Sequence, residues 1–301
     1  MTQRYKLTAA LIAVMLAGAI QAEDREPSKA DPLIIQADFA GLVMTGVAHS
    51  IHSELPIFNV RPLIPLYDIR AASDSLAYNA QTWPPGSVFV SVVDPGVGTD
   101  RKSVVLETRN GLYFVSPDNG SLSGVAETYG IQAVREIDES VNRRADTEWS
   151  HTFHGRDVYA YVGAKLAAGV IDFEQVGPLL PAAVIMLERS TGTFSEGVFE
   201  GRVAGGEGRL GNVYFDIDRE LFAEAEPTHG EIFRLEIAHG RQSVFSGDVP
   251  YVPSFGAVPV GENLLFINSS GDLSVAVNQG HFADKYGIGV GSEWRIRLQR
   301  K

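Results

Sequence analysis

The chain has 301 residues, of which 45% are hydrophobic, and it carries a formal net charge of −12 with a pI near 5.0. This acidic balance argues against a nucleic-acid partner or an anionic membrane surface, because such binding depends on clustered lysines and arginines that the sequence lacks. The absence of cysteine excludes disulfides, zinc–thiolate sites and thiol nucleophiles.

Residues 1–22 have the pattern of a secretory signal peptide. A basic start and the apolar residues 7–20 precede a small-residue cleavage site that ends at Ala22. The apolar run is shorter than the roughly 18 to 20 residues that a membrane span needs, and no cysteine follows it to carry a lipid. We therefore predict an exported protein, periplasmic or secreted, with no membrane attachment after cleavage and with a polar lead-in at 23–30.

Residues 31–187 alternate apolar, β-branched runs with segments of helical periodicity. The predicted strands are 32–37, 57–64, 87–93, 102–108 and 112–116, the last two joined by a hairpin turn at Arg109-Asn110-Gly111. The predicted helices are 42–52, 68–81, one that opens at 117–120, and 156–168. This alternation predicts an N-terminal α/β domain with a mostly parallel sheet and helices on both faces.

The pattern changes after a loop at 188–196, which we predict to be a linker. Helical periodicity disappears, and short strands rich in valine, isoleucine and phenylalanine are separated by glycines. The predicted strands are 197–203, 211–217, 231–237, 264–269, 273–277 and 293–298. Residues 197–301 are therefore predicted to form a C-terminal antiparallel, β-barrel-like domain.

The predicted strand 87–93 ends at Asp94, which opens a glycine-rich turn, and Arg101 follows seven residues later. Strand ends of this kind are where α/β proteins place their chemistry. Taken singly, however, the residues have ordinary interpretations. Asp94 is typical of a turn after a strand, Arg101 of a surface cation, and His154 of a satisfied core histidine.

Five short motifs follow one another along the chain. They are Val93-Asp94-Pro95-Gly96-Val97-Gly98 with Arg101, Pro117-Asp118-Asn119-Gly120, Thr152-Phe153-His154-Gly155-Arg156-Asp157, Leu210-Gly211-Asn212, and Asn268-Ser269-Ser270-Gly271 with Ala276-Val277-Asn278-Gln279-Gly280. In this order they resemble the SAM hydroxide adenosyltransferase family, which is related to fluorinating and chlorinating enzymes that act on S-adenosylmethionine. The resemblance runs from about Asp31 to the C-terminus.

The resemblance implies a hydrolase that cleaves S-adenosyl-L-methionine, using no cofactor or metal. Water or hydroxide attacks the ribose C5′ and displaces the sulfonium, giving adenosine and L-methionine. Asp94, Arg101 and His154 match the family's catalytic triad. A carboxylate that holds or deprotonates water, a guanidinium that stabilises negative charge and an imidazole that completes the hydrogen bonds suit this task.

The resemblance also implies a set of substrate contacts in a pocket between the two domains, at the subunit contacts of a homotrimer. In the first domain they are Asp38 for the ribose hydroxyls, Tyr67 against the ribose and Phe153 beside the reacting carbon. In the second they are Glu207 for the methionine ammonium, Asn212 for the adenine edge, Phe255 and Leu210 around the adenine, and Ser269 for the amino-acid end. Plain core packing is nearly as good an interpretation of Phe255 and Leu210.

The sequence departs from the family after Asp38, where about five residues of a loop that helps to hold the methionine portion are missing by our alignment. Glu207 stands where the family has Asp, and Leu210 stands where it has an aromatic residue. The reacting centre is therefore preserved better than the contacts to the methionine half of the substrate.

The sequence also bears on two alternatives to hydrolysis. A halogenase is disfavoured, because the halide-binding hydroxyls of those relatives fall at Val97 and Gly155, whose side chains cannot donate a hydrogen bond. An exported, non-catalytic protein that binds adenosine or another nucleoside remains open, since S-adenosylmethionine is scarce outside the cytoplasm. The histidine pairs His49 with His52 and His151 with His154 lack carboxylates that would complete a metal site.

Overall fold

A computed structural model of the protein describes residues 30–291 and 293–301. The predicted signal peptide and nearly all of the predicted lead-in lie outside the described residues. The chain divides into two compact units, one that ends at Leu187 and one that runs from Glu188 to Lys301. Within the described ranges, no helix is long and apolar enough to cross a membrane.

The first unit is built on a seven-stranded sheet in the order β2-β1-β3-β5-β4-β6-β7. Its strands are β1 (Leu33–Ala37), β2 (Ile57–Asn59), β3 (Val88–Val92), β4 (Ser103–Thr108), β5 (Tyr113–Pro117), β6 (Ile131–Glu136) and β7 (Leu179–Leu180). Its helices are α1 (Leu42–Ile51), α2 (Ile69–Ala80), α3 (Ser123–Tyr129) and α4 (Ala160–Ala167), with a 3₁₀ turn at Phe173–Val176. Strands β2, β1, β3 and β5 are parallel, whereas β4, β6 and β7 pair antiparallel to their neighbours.

Helices cover both faces of this sheet, as predicted. Alternate residues of β1 show why: Leu33 and Ile35 pack in the core that contains α1 and α4, whereas Ile34 packs in the core that contains α2 and α3. A strand buried on both faces needs a continuous apolar run rather than an alternating one, and all five residues of β1 and of β3 are buried.

Four details of the first unit differ from the sequence prediction. The helix predicted to open at 117–120 begins at Ser123, because Pro117 is still the last residue of β5. The strand predicted at 57–64 ends at Asn59, because Pro62 has no N–H to donate and interrupts the pairing. Strands β6 and β7 were not predicted, and they extend the sheet on its antiparallel side. The helix predicted at 156–168 begins with a π-helical turn over Gly155–Tyr159 before α4.

The second unit is a nearly closed antiparallel sheet of eight strands in the order β12-β11-β15-β9-β10-β14-β13, with β8 paired to β9. Its strands are β8 (Thr193–Ser195), β9 (Val198–Glu207), β10 (Asn212–Asp218), β11 (Ile232–His239), β12 (Gln242–Pro250), β13 (Asn263–Ile267), β14 (Asp272–Val277) and β15 (Trp294–Arg300). Two short helices, α5 (Arg219–Ala223) and α6 (Phe282–Tyr286), and a 3₁₀ turn at Phe255–Ala257 accompany them.

The barrel-like expectation for this unit is confirmed, with two strands added. Strand β8 lies inside the predicted linker 188–196 and pairs with β9. Strand β12 was missed because Gly247 and Asp248, which have low β-propensity, interrupt its apolar pattern. The interior is filled mainly by phenylalanine and branched aliphatic side chains.

Candidate active site

Asp94 stands just beyond β3, at the edge where the parallel strands of the first unit end. The chain turns back at once, since the Val97 N–H donates to the Asp94 carbonyl at 3.2 Å and the Thr99 N–H to the Gly96 carbonyl at 3.1 Å. Gly98 takes a φ of 81°, which a glycine adopts without strain. This tight turn returns the chain to β4 and brings Arg101 beside Asp94.

Arg101 and Asp94 form a bidentate ion pair. Nε of Arg101 lies 3.0 and 3.1 Å from the two carboxylate oxygens, and Nη2 donates to Oδ2 at 2.6 Å. Only 10% of the Arg101 side chain and 6% of the Asp94 side chain are exposed. A guanidinium and a carboxylate that meet in this way fix each other's orientation, because the fork of N–H donors matches the carboxylate plane.

Nη2 of Arg101 also lies 3.0 Å from Nδ1 of the buried His154. A guanidinium can only donate, so Nδ1 is the acceptor and the imidazole is neutral with its hydrogen on Nε2. Burial lowers the pKa of His154, an effect that exceeds the opposing attraction of Glu139, and the positive charge of Arg101 lowers it further. In the described part of the chain, Nε2 of His154 is a buried polar atom without a hydrogen-bond partner.

The triad therefore offers an ionised carboxylate, a guanidinium and a neutral imidazole N–H within one cluster. The carboxylate accepts hydrogen bonds, and the imidazole N–H is free to donate one. These are groups that can bind and orient a water molecule. The structure thus brings Asp94, Arg101 and His154 together, as the resemblance implies.

Sequence reasoning missed four polar side chains that surround the triad. The Ser103 hydroxyl accepts from Nη1 of Arg101 at 3.1 Å, and the hydroxyls of Ser103 and Tyr159 lie 3.1 Å apart. The Tyr159 hydroxyl lies 3.5 Å from Oδ2 of Asp94. Ser103 opens β4 two residues after Arg101, but no spacing in the sequence links it to Tyr159.

Glu139 and Arg143 are the other two missed residues, and they support His154 from the segment that follows β6. Nη1 of Arg143 donates to Oε2 of Glu139 at 2.8 Å, and Nη2 donates to the Ser150 carbonyl at 2.6 Å. Oε1 of Glu139 lies 3.7 Å from Nδ1 of His154, beyond hydrogen-bond distance. Because Arg143 is buried, it ties the chain just before His154 to a fixed point.

Asp38 and Tyr67 are joined at the end of β1. The Tyr67 N–H donates to Oδ2 of Asp38 at 2.9 Å. Tyr67 takes a φ of 64°, a left-handed conformation that is unfavourable for a bulky side chain, while 63% of the residue is exposed. This arrangement positions Asp38 with one carboxylate oxygen bound to the backbone.

Phe153 lies on the same unit, immediately before His154. Its ring meets Phe39 edge-on with centroids 5.5 Å apart, and Cζ of Arg156 lies 5.2 Å from its centroid. The aromatic side chain is thus fixed from two sides. Asp38, Tyr67 and Phe153, together with the triad, are the predicted site residues that the first unit carries.

The second unit carries the remaining predicted residues. Asn212 is buried at the start of β10 and pairs with Glu207 at the end of β9, and Ser269 lies in the exposed turn between β13 and β14. The Phe255 ring packs 5.0 Å from Phe266 and stays 37% exposed. Leu210 is 63% exposed, so its interpretation as a core residue is wrong.

A further residue missed from sequence, His281, holds the turn between β9 and β10. Its Nε2 lies 2.9 Å from the Gly208 carbonyl, and its Nδ1 accepts from the Asp284 N–H at 3.0 Å. A Cβ on Gly211 would come within 2.2 Å of the His281 ring. Glycine at 211 is therefore required by this close approach as well as by its φ of 72°.

At the two positions where the resemblance implies halide-binding hydroxyls in halogenases, this chain has Gly155, which is closely packed, and Val97. A Cβ on Gly155 would lie 3.1 Å from Val92, 3.2 Å from Phe39 and 3.4 Å from Phe153. Val97 offers no donor. Across the described residues, no group of three or more histidines and carboxylates is placed to hold a metal ion.

An α/β unit with a strand-end Asp–Arg–His cluster and a separate antiparallel unit define a class of two-domain proteins. Residues 36–177 match the model of the SAM hydroxide adenosyltransferase N-terminal domain, and residues 209–295 match that of the C-terminal domain. The chain belongs to the SAM hydroxide adenosyltransferase family, and the resemblance stated from sequence is confirmed.

Individual relatives agree with this assignment. An (R)-S-adenosyl-L-methionine hydrolase from Salinispora tropica is 34% identical over 242 residues, covering 80% of this chain and 85% of the relative. A fluorinase from Actinoplanes sp. is 26% identical over 296 residues, covering 88% of this chain and 97% of the relative. The crystal structure of an uncharacterized conserved protein from Thermotoga maritima has a TM-score of 0.79 at 31% identity, covering 89% and 99% of the two chains.

Proposed function

We propose that the protein hydrolyses S-adenosyl-L-methionine at the ribose C5′, giving adenosine and L-methionine. The observation that carries this proposal is the Asp94–Arg101–His154 cluster, in which Arg101 bonds both carboxylate oxygens and the imidazole. The relatives named (R)-S-adenosyl-L-methionine hydrolase support the same reaction.

In the proposed reaction, a water molecule donates a hydrogen bond to Asp94, which directs a lone pair of the water oxygen toward C5′. The O–C5′ bond forms as the C5′–S bond breaks, and the bonding pair moves to sulfur, which loses its positive charge. The proton released by water passes to the carboxylate and from there to solvent. General-base assistance contributes about 10²- to 10⁴-fold, so positioning must supply much of the acceleration.

The substrate-binding roles are proposed residue by residue. Asp38 accepts from the ribose hydroxyls, using the oxygen that does not bind the Tyr67 N–H. Tyr67 and Phe153 pack against the ribose and the reacting carbon. Glu207, Asn212, Phe255 and Ser269 hold the methionine and adenine ends of the substrate.

Metal independence, export and a homotrimeric assembly are parts of the same proposal. The triad chemistry needs no Lewis acid, the residue pattern of 1–22 supports export, and the family resemblance supports the trimer. Activity that survives chelation by EDTA, recovery of the cleaved chain from the periplasm or medium, and a sedimentation mass of three chains are the expected results.

The decisive experiment incubates the purified protein with S-adenosyl-L-methionine in H₂¹⁸O and analyses the products by chromatography and mass spectrometry. Attack at C5′ predicts adenosine with ¹⁸O in its 5′-hydroxyl and an equal amount of methionine. Added chloride or fluoride should give no halogenated nucleoside. If no adenosine forms but adenosine itself binds, the protein is the non-catalytic nucleoside-binding protein instead.

A further inference from the structure

Four side chains of the first unit close a ring of hydrogen bonds behind the triad. Arg101 donates to Asp94 and, through Nη1, to the Ser103 hydroxyl at 3.1 Å. The Ser103 and Tyr159 hydroxyls lie 3.1 Å apart, and Tyr159 returns to Oδ2 of Asp94 at 3.5 Å. The ring therefore starts and ends on the carboxylate that is proposed to hold water.

The direction of each hydrogen bond follows from what each group can do. A guanidinium only donates, so the Ser103 oxygen accepts from Arg101; a carboxylate only accepts, so the Tyr159 hydroxyl donates to Asp94. The Ser103 hydroxyl therefore donates its hydrogen to the Tyr159 oxygen. Each hydroxyl hydrogen in the ring thus has one acceptor, and no two donors face each other.

Burial makes the ring sensitive to the loss of a single member. Ser103 is 5% exposed and Tyr159 is fully buried, so bulk water does not replace a missing hydroxyl. Burial also raises the pKa of Tyr159 far above its ordinary value. The phenol thus stays protonated and remains a donor to Asp94 wherever the enzyme works.

Arg101 is the member whose orientation matters most. Its Nη2 bonds both Asp94 and His154, so a rotation of the guanidinium displaces the carboxylate and the imidazole together. The Ser103 hydroxyl opposes that rotation by holding Nη1, and Cζ of Arg101 lies 5.7 Å from the Tyr159 ring centre. Displacements of about 1 Å in a reacting group cost as much as 10²-fold in rate.

We propose that Ser103 and Tyr159 are positioning residues that hold the Arg101 guanidinium and the Asp94 carboxylate in their reactive orientation. This inference rests on the proposed function for its kinetic consequence. Its structural consequence, a fixed Arg101–His154 hydrogen bond, is measurable without substrate.

The kinetic test compares Tyr159→Phe, Ser103→Ala and the double variant with the wild type. Each single variant should lower kcat by about 10-fold and leave KM within about 2-fold, because the ring orients reacting groups rather than binding substrate. The double variant should be no slower than the slower single variant, since both changes break one ring. Tyr129→Phe is the matched control, because it removes a phenol that donates to the Ala77 carbonyl at 2.7 Å, outside the ring.

The second measurement is the titration of His154 by ¹⁵N NMR in the same four variants and the wild type. Loosening Arg101 should raise the pKa of His154 in Ser103→Ala and Tyr159→Phe, because the nearby positive charge that opposes protonation moves away. Tyr129→Phe should titrate as the wild type does. Should Tyr159→Phe fail to fold, Ser103→Ala alone decides the point.

The outcomes separate this inference from the proposed function. If the wild type cleaves S-adenosyl-L-methionine while Ser103→Ala and Tyr159→Phe keep its kcat and its His154 titration, the positioning role is wrong and the function stands. If the wild type is inactive, the proposed function fails, and the His154 titration by itself supports or overturns the ring.

Discussion

Arg101 fixes the tautomer of His154, because the guanidinium donates from Nη2 to Nδ1 at 3.0 Å and leaves the imidazole hydrogen on Nε2. Protonation at Nδ1 would set one donor against another beside a positive charge. This arrangement is thus the one of a neutral His154.

The first prediction concerns pH. Burial lowers the pKa of His154 below its ordinary value, which is about 6.5, so the acid limb of kcat should fall below pH 6.5. The free energy of unfolding should also fall at low pH. The stabilisation from the neutral, buried His154 is complete above the pKa of histidine in the unfolded chain, and it declines as the pH drops from there toward the lower pKa of His154 in the folded protein. Rates and urea midpoints between pH 4.5 and 8, in steps of about half a unit, measure both effects.

His151→Gln is the control for the pH profile. His151 is exposed, and its ring centroid lies 6.1 Å from that of His154, so its loss should leave the acid limb in place. If His151→Gln shifts the acid limb of the kcat profile, the titrating group is His151 and not His154.

The second prediction concerns Asp94, the carboxylate that is proposed to hold the water. Asp94→Asn should lower kcat by about 10²- to 10⁴-fold, because a neutral amide neither accepts the proton nor forms an ion pair with Arg101. Asp94→Ala should likewise abolish turnover, while calorimetry still detects adenosine binding. Asp100→Asn, a change at an exposed carboxylate in the same turn, should retain wild-type rates, and an active Asp94→Ala would contradict the assigned role.

The third prediction concerns the packing around Gly155. Gly155→Ser should destabilise the protein by about 1 to 3 kcal/mol through overpacking, because its Cβ would meet Val92 at 3.1 Å and Phe39 at 3.2 Å. It should also fail to confer halide transfer. Thermal unfolding, with a fluoride or chloride assay on the same sample, measures both.

Gly46→Ala is the matched control for that substitution. Gly46 lies within α1, and nothing lies within 4 Å of an added Cβ. Alanine is the better helix former, so this variant should gain up to about 1 kcal/mol. Equal losses in Gly46→Ala and Gly155→Ser would remove the packing explanation.

The fourth prediction concerns the strained backbone of Tyr67. Its φ of 64° should make Tyr67→Gly about 1 kcal/mol more stable than Tyr67→Ala, since only glycine adopts this conformation freely. Both variants should raise KM to the same degree, because both remove the aromatic ring. Denaturant unfolding and Michaelis kinetics test the two statements separately, and equal stabilities would show that the conformation costs nothing.

The sequence predicts the architecture well where burial dictates residue type. The apolar runs of β1 and β3 and the hairpin turn at Arg109-Asn110-Gly111 are confirmed. The sequence fails where a strand has little apolar signal, as in β12, or where proline shortens one, as in β2. The buried apolar strands are therefore enough to predict the fold class. The full strand order of each sheet also depends on the strands with a weak apolar signal, which the sequence does not reveal.

In the candidate site, contacts between residues close in sequence can be predicted, and contacts between distant residues cannot. Asp94 and Arg101 lie seven residues apart in one turn, and their pairing follows from local sequence. The contact between Ser103 and Tyr159 spans 56 residues, and the packing of the π-helical turn over Gly155–Tyr159 against the sheet brings it about. Polar residues that act through such long-range contacts leave no local pattern to read.

The π-helical turn at Gly155–Tyr159 sets how far apart along the chain His154 and Tyr159 can be and still face each other. Residues five apart on an α-helix point about 140° away from each other, whereas the wider turn leaves the His154 and Tyr159 rings 6.4 Å apart. Removing one residue between them would leave them four apart, a spacing that a regular α-helix also brings to one face. The deletion would therefore replace the π-helical turn by a regular helix without separating the two rings. The spacing of these two residues along the chain is thus coupled to the type of helix between them: five residues suit the π-helical turn, and four would suit a regular α-helix.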